Sequence, residues 1–547
     1  LTNAGGVFDA INNLGASGNL TINITSDLTG ETGAVALNEI VGGFTVLIKP
    51  SGAPRTITGS INGALIRLNG ADGVRIDGST AATFADNIVG GNPALRQLTI
   101  QNTNVGTSAF VIAVQSGTNG ANNNIIRNVN ILGQDPTTTL GGISIGGNIP
   151  GTVAGFQNNG NVVNNCSFRR AIIGVYNAGP TAPVNTGNVI SENDMTGTTT
   201  DRIRRIGILV FNQDGIQIVE NNIGGLDSSE SADVIGIGVG TQGVDTTNTT
   251  NGGVSNALVT RNRINGANSN ATAGFSAAGI TVAGGTLGAN IISNNMITGV
   301  IANSTSPDFP VGIYVAGVTG SITRLYYNSI AMTGDRGATT TQMPSYGVAI
   351  TGTDPTVELK NNIFYTTQTV PLGTSPNAFS YAIGMATTTF VNLDSNFNDF
   401  WSTGANDGGF RSGSLGLAAG TSYVDLTAWN TAVSDDIPGD SLEVDPMFVN
   451  PASDLHLMSA ASPVYDQGTA VSELRDFDNQ IRSIVGLAGG VPDIGADEFL
   501  IPVAANASIG GRVAPADGRG IRGAVIPFRA ETWDNRVCFG REHSAIT

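Results

Sequence analysis

Ionisable residues are scarce in this chain of 547 residues. Charged side chains make up 12% of it, lysine occurs only at Lys49 and Lys360, and histidine only at His456 and His543. With 40% hydrophobic residues it does not have the charge-rich composition of a disordered chain. The formal net charge of -17 leaves no basic face for phosphate, which excludes nucleic acid as a partner. The two cysteines, Cys166 and Cys538, lie far apart and imply no disulfide framework. No apolar run approaches the roughly 20 residues of a transmembrane helix, so no membrane insertion is expected. The chain opens at Leu1 without a methionine or a signal-like segment, and we read it as a mature product or a fragment.

What the chain has is glycine, 75 of them, and a repeat. One block reads apolar, two residues, Asn, one residue, apolar. It recurs as Ile190/Asn193/Met195, Ile218/Asn221/Ile223, Val259/Asn262/Ile264, Ile292/Asn295/Ile297, Leu325/Asn328/Ile330 and Leu359/Asn362/Phe364. A second block of similar period reads Gly, apolar, any, apolar: Gly142–Ile145, Gly207–Val210, Gly236–Val239, Gly279–Val282, Gly312–Val315 and Gly347–Ile350. Alternation with period two marks strands with one face buried. Two short strands per repeat, with Gly or Asn at the corners, describe a coil that buries its apolar face only by stacking on its neighbours. The expected fold is therefore all-β, a right-handed parallel β-helix.

The six asparagines are expected to superpose in one column. Asn tolerates a left-handed corner, and its amide can bond to the Asn one coil away. Cys166, between Val163 and Phe168, takes the Asn position of an earlier coil as a buried thiol. One residue before the column stand Glu192, Glu220, Arg261, Asn294, Tyr327 and Asn361, which makes Glu220 and Arg261 neighbours. The segment Gly5–Leu14 has apolar residues at helical spacing and would cover the open first edge.

Several stretches carry a resemblance. The opening segment, "LIRLNGADGVRIDG", and the later "SLEVDPMFVN", "DLHLMSAASPVYDQGT", "DFDN" and "PDIGADE" resemble secreted bacterial parallel β-helix proteins of the pectate-lyase-like superfamily fold and the module that closes many of them. The resemblance implies an extracellular or cell-surface location and assigns no single activity. "ASIGGRVAPADGRGIRGAVI" resembles the first strands of a carboxypeptidase-regulatory-like β-sandwich, a spacer-type module. The pattern stops after Ile526, which reads as a truncated end. The expected organisation is a cap over 1–18, the β-helix over 19–400, a closing module over 401–500, and a partial sandwich with an irregular tail over 501–547.

Catalytic chemistry is hard to find in the repeat. A glycoside hydrolase needs two carboxylates flanking the bond, and a pectate-type lyase needs acidic calcium ligands plus a basic residue. No such cluster marks the repeating strands. His456 reads as part of an alternating strand, Asp435-Asp436 as a turn, and Cys538 with His543 lacks further metal ligands. Asp476 and Asp478 are weak candidates for calcium, being too few to define a site. Polar stretches at 198–205, 265–277, 298–310, 331–345 and 365–379 read as long loops on one side, the side where solenoids bind. Arg202, Arg204 and Arg205 suit acidic glycans. Phe275, Phe309, Tyr346 and Tyr381 stand at loop ends, to stack on sugars or to pin the loops. The insertion 240–255 shows no chemistry. These features favour an extracellular surface, adhesion or glycan-binding protein without catalytic activity and without a firm metal or cofactor. The alternatives are a polysaccharide lyase or glycoside hydrolase on the long-loop face, and a phage or surface spike fibre. Oligomeric state is open.

Overall fold

The computed structural model describes residues 1–500 apart from 86–90, 247–251, 272, 338–341, 372–377, 389–391, 405–407, 418–419, 434–439 and 484–489, and the backbone of two further strands. Those two, Ala530–Trp533 and Arg536–Phe539, form an antiparallel pair within a separate unit, Leu500–Thr547. Asp435, Asp436, His543 and the expected sandwich strands lie outside the described residues.

Unit Leu1–Phe499 is a parallel β-helix. Three sheets run its length: sheets A and B have twelve strands each, and sheet C has thirteen. Each coil gives one strand to each sheet, and all neighbours pair in parallel except a last hairpin in sheet C; a short parallel pair, Asn185–Thr186 with Gln213–Asp214, stands outside the three sheets. One coil is Gln217–Val219 in sheet A, Asn222–Ser228 in sheet B and Val234–Val239 in sheet C. The coil thus has three strands and not two. The Asn block hides two of them, because the corner between A and B takes so few residues. Ile190, Ile218, Val259, Ile292, Leu325 and Leu359 stack in sheet A. Met195, Ile223, Ile264, Ile297, Ile330 and Phe364 stack in sheet B.

The asparagines between them form a continuous ladder. Nδ2 of Asn193 donates to Oδ1 of Asn221, and so on through Asn262, Asn295, Asn328 and Asn362, at 2.9–3.0 Å. Asn362 donates in turn to Asn398 at 2.9 Å, a seventh rung with Ser395 in place of the apolar residue. Each Oδ1 also accepts the backbone N–H of the preceding rung, as Asn193 does from Cys166 at 2.9 Å. The Cys166 thiol is buried, which pushes its pKa up to about 12. The left-handed backbone sits one residue earlier than expected: Glu192, Glu220, Arg261, Asn294, Tyr327 and Asn361 all have φ between 52° and 60°. Asn is required at the rung for its amide, which satisfies backbone groups at a sharp bend.

The glycine column is not a corner either. A Cβ on Gly236 would lie 2.6 Å from the carbonyl oxygen of Gly279 and 2.9 Å from Ile264 Cγ2. These glycines let sheet C pass close to the sheet B core. Sheet C strands are also buried on both faces, against the expectation of one. Their inner side chains join the main core. Their outer ones, among them Ile206, Leu209, Ile235, Val311, Tyr314 and Tyr346, form a second apolar layer with Val244, Met343 and Leu415 from the connections. Strands buried twice read as nearly continuous apolar runs.

Sheet B strands are longer than the alternation suggests. Asn222–Ser228, Arg263–Ser269 and Met296–Ala302 each have seven residues. Gly225, Gly266 and Gly299, with φ of 66°, 102° and 66°, bend each strand and break its period. The true B-to-C connections in those coils are 229–233, 270–276 and 303–309.

Helix α1, Val7–Leu14, inserts Phe8 into the core at the first coil. At the last coil, helix α2, Leu426–Val433, stacks Trp429 on Phe410, with 5.5 Å between ring centroids. The stretch 440–499 then lies against the outer A–B corner rather than only beyond the last coil. Tyr327 Oη donates to Thr469 O at 2.7 Å, Gly495 N to Asn361 O at 2.8 Å, and Ala496 N to Ser329 Oγ at 2.9 Å.

Candidate functional site on the B-to-C face

The connections from sheet B to sheet C lie on one side, and the three arginines expected to bind a ligand start it. All three are already engaged. Arg202 pairs with Asp227 at 3.1 Å, Arg204 pairs with Glu230, and Arg205 Nε donates to Asp233 O at 3.0 Å. Burial pushes the Arg205 guanidinium down, against the nearby carboxylates. Phe309 and Tyr346 are wholly buried in the second apolar layer. Tyr346 stacks on Tyr381 at 5.4 Å and donates from Oη to Leu415 O at 2.8 Å. Neither ring offers a face to a sugar; the reading as loop pins replaces stacking, since an aromatic ring at a loop end buries more area against the sheet than in water.

The insertion 240–255 has chemistry after all. Its Val244 lies at the start of the sheet C strands, where Val244 N donates to Asp233 Oδ2 at 2.8 Å and Ser276 Oγ to Val244 O at 2.6 Å. Asp233 Oδ1 accepts Ser276 N at 3.0 Å, and Asp308 shares the Ser276 hydroxyl at 3.1 Å. Burial, then the neighbouring carboxylate, pushes Asp233 up to about 7; burial and Asp245 push Asp308 up to about 6. Nothing in the repeat announces this carboxylate pair, because its members come from unlike connections.

Further along the same face is an open pocket of about 300 Å³. Three coils build it: Asn268, Ser269 and Asn270 from the first, Ile301 and Asn303 from the next, Asp335, Arg336 and Gly337 from the third. Asn268 and Ile301 are register partners in sheet B. Asn270 Nδ2 donates to Asp227 at 2.6 Å, linking the pocket rim to Arg202. Three buried polar atoms in its lining have no partner: Asn268 Oδ1, Ser269 Oγ and Arg336 Nη1. The sequence hid the site because 265–269 and 298–302 read as loop.

Asp476 and Asp478 do not act together. Asp476 is buried, and its oxygens accept Gln480 N at 2.6 Å and Glu498 N at 3.3 Å. Asp478 reaches His456 Nε2 at 3.0 Å, while His456 Nδ1 meets Asp454 at 2.5 Å. The bond with Asp478, then that with Asp454, lifts the imidazole to about 9 against its burial. Asp497 lies close enough for His456, Asp478 and Asp497 to face one ion, though its Oδ2 accepts Leu457 N at 2.8 Å. The calcium expectation for Asp476 with Asp478 thus loses one of its two ligands to a turn.

No family model matches the chain, and no curated protein matches it in sequence. Solved structures with a likeness include the Azotobacter vinelandii mannuronan C-5 epimerase AlgE6 A-module, at 14% identity and a TM-score of 0.37, over 74% of this chain and 92% of that one. The AlgE4 A-module of the same organism gives 14% and 0.29, over 65% and 88%. The periplasmic alginate epimerase AlgG gives 14% and 0.27, over 64% and 76%. Scores this low say nothing of activity here. The class of the protein, a parallel β-helix, rests on its three ladders of strands. Among the described residues no helix is long and apolar enough to cross a membrane.

Proposed function

We propose that this protein is an extracellular surface protein that binds polysaccharide along its B-to-C face without cleaving it. The observation that carries the reading is the open pocket spanning three coils, lined by amides, a hydroxyl and a guanidinium. Hydroxyl-rich chains are recognised by such donors and acceptors, and stacked coils present them at a regular spacing. A second reading, a polysaccharide-acting enzyme, is favoured by the Asp233–Asp308 pair beside Arg205, since carboxyl groups raised toward neutrality can serve as acid and base. Against it, Asp233 is only 8% exposed and both its oxygens hold backbone N–H groups. Binding on a glycan array, paired with an assay for chain cleavage or epimerisation of the bound glycans, separates the two. Binding without product supports display and capture. Product formation that Asp308→Asn abolishes would replace that reading with the enzyme.

A further inference from the structure

Arg336 is 2% exposed, and two of its three nitrogens hold the chain in place. Nε donates to Ala302 O at 3.3 Å and Nη2 to Met343 O at 2.6 Å. Both acceptors are neutral carbonyls. No carboxylate pairs with this guanidinium among the described residues, although Arg202, Arg204 and Arg261 each pair with one. Burial alone pushes its pKa down to about 9, so it stays charged at neutral pH. A buried cation without a counter-ion is unfavourable, and an incoming anion would offset that cost. Its third nitrogen, Nη1, is buried without a partner, and the residue lines the pocket.

We infer that the pocket is a subsite for an anionic sugar unit, its carboxylate or sulfate held by Arg336 Nη1 and its hydroxyls by Asn268 Oδ1 and Ser269 Oγ. This rests on the reading of the face as a glycan-binding surface. The remaining donors and acceptors fit the assignment. Asn268 Oδ1 only accepts and Ser269 Oγ can do either, as vicinal hydroxyls require. Ile301 gives the apolar floor that a sugar ring covers. A volume of about 300 Å³ is at the small end for ligand sites, room for about one unit of a chain that continues along the face. Asp335 stands exposed on the rim with Oδ1 accepting Gly337 N at 2.8 Å. The net charge of -17 opposes acidic polymers at long range, but charges beyond about 8 Å are screened at physiological salt.

The test titrates the full chain with three trisaccharide probes of equal length: a uronate, a sulfated and a neutral one. The expected result is at least tenfold tighter binding of one acidic probe, weakened by salt, with the stronger arm naming carboxylate or sulfate. Asn268→Asp places an internal counter-ion in the pocket without removing either Arg336 bond to the backbone, so it should abolish the acidic preference while the melting curve holds. Arg336→Lys should weaken acidic binding tenfold or more. Equal binding of neutral and acidic probes overturns the anionic subsite and leaves the glycan face standing. Acidic binding unchanged in Asn268→Asp also overturns it. Binding of none of the probes, on a glycan array as well, overturns both.

Discussion

The coils from Asn193 to Asn398 and the stretch 440–499 solve the same problem in opposite ways. In the coils the buried asparagine of each rung meets a copy of itself one layer away, and the rungs are neutral. In the closing stretch nothing repeats, and most of the buried polar groups are charged: Asp476, Arg482, Asp493, Asp497 and Glu498. Arg482 is 0% exposed, with Nη1 3.3 Å from Glu498, Nη2 donating to Asn294 Oδ1 at 2.7 Å and to the carbonyls of Gly495 and Ala496, and the guanidinium 3.8 Å from the Tyr327 ring. A repeat can satisfy a corner with another corner. A segment laid against that corner must find unlike partners, and a fork of five donors bridges several acceptors at once. The comparison teaches that the solenoid's stability is a sum over layers, whereas the closing stretch hangs on a few residues.

The largest effect should therefore come from Arg482. Arg482→Met strands Glu498, which also accepts Ser483 N and Asp493 N, and leaves Asn294 Oδ1 without its donor. Removing one partner of a buried pair is destabilising by about 3–5 kcal/mol. The loss should be confined to 440–499, seen as protease cleavage there while the β-sheet circular dichroism persists. Cooperative loss of the whole solenoid would show that the two regions are one folding unit.

How far the sequence reveals each region follows from the same contrast. The Asn column was legible because one residue type does one job in every layer, and Glu220 with Arg261 could be placed as neighbours, 2.7 Å apart in the structure. Asn398 escaped because Ser395 replaces the apolar residue that flags the other rungs. The third strand escaped because the A–B corner is too short to interrupt the pattern. The pocket escaped for a different reason: Gly266 and Gly299 break the alternation, so strand residues that line it read as loop. Arg336 and the Asp233–Asp308 pair have no periodic signal at all, being single residues in unlike connections. In 440–499 the motif stretches announced a module but not which acids would meet which base.

An effect no larger than that is expected within the ladder, and it should depend on position. Asn295→Ala removes donation to Val259 O and Asn328 Oδ1, both at 2.9 Å, and acceptance from the N–H and Nδ2 of Asn262, both at 3.0 Å. At a net contribution near 1 kcal/mol per bond, the loss of four bonds should be about 4 kcal/mol in urea unfolding. Asn193→Ala should lose about 1 kcal/mol less, because Cys166 beneath it bonds only through its backbone N–H. Equal losses at both positions would mean that the amide-to-amide bonds add nothing beyond those to the backbone.

The smallest effect is one of pH, and the closing stretch should feel it through His456. His456 is held by Asp478 and Asp454, and its folded pKa of about 9 stands above its ordinary 6.5. A base whose pKa rises on folding stabilises the fold fully below its unfolded value, and that stabilisation is lost as pH climbs through the folded one. Hydrogen exchange over 440–499, corrected for its intrinsic pH dependence, should therefore lose protection between about pH 6.5 and 9. The neutral ladder at Asn193 to Asn398 has nothing to titrate and should keep its protection across that window. His456→Gln should flatten the curve for 440–499 and leave the ladder unmoved. A parallel loss in both regions would mean that the closing stretch and the coils open together, and the division drawn between a layered sum and a few critical residues would fail at neutral to alkaline pH.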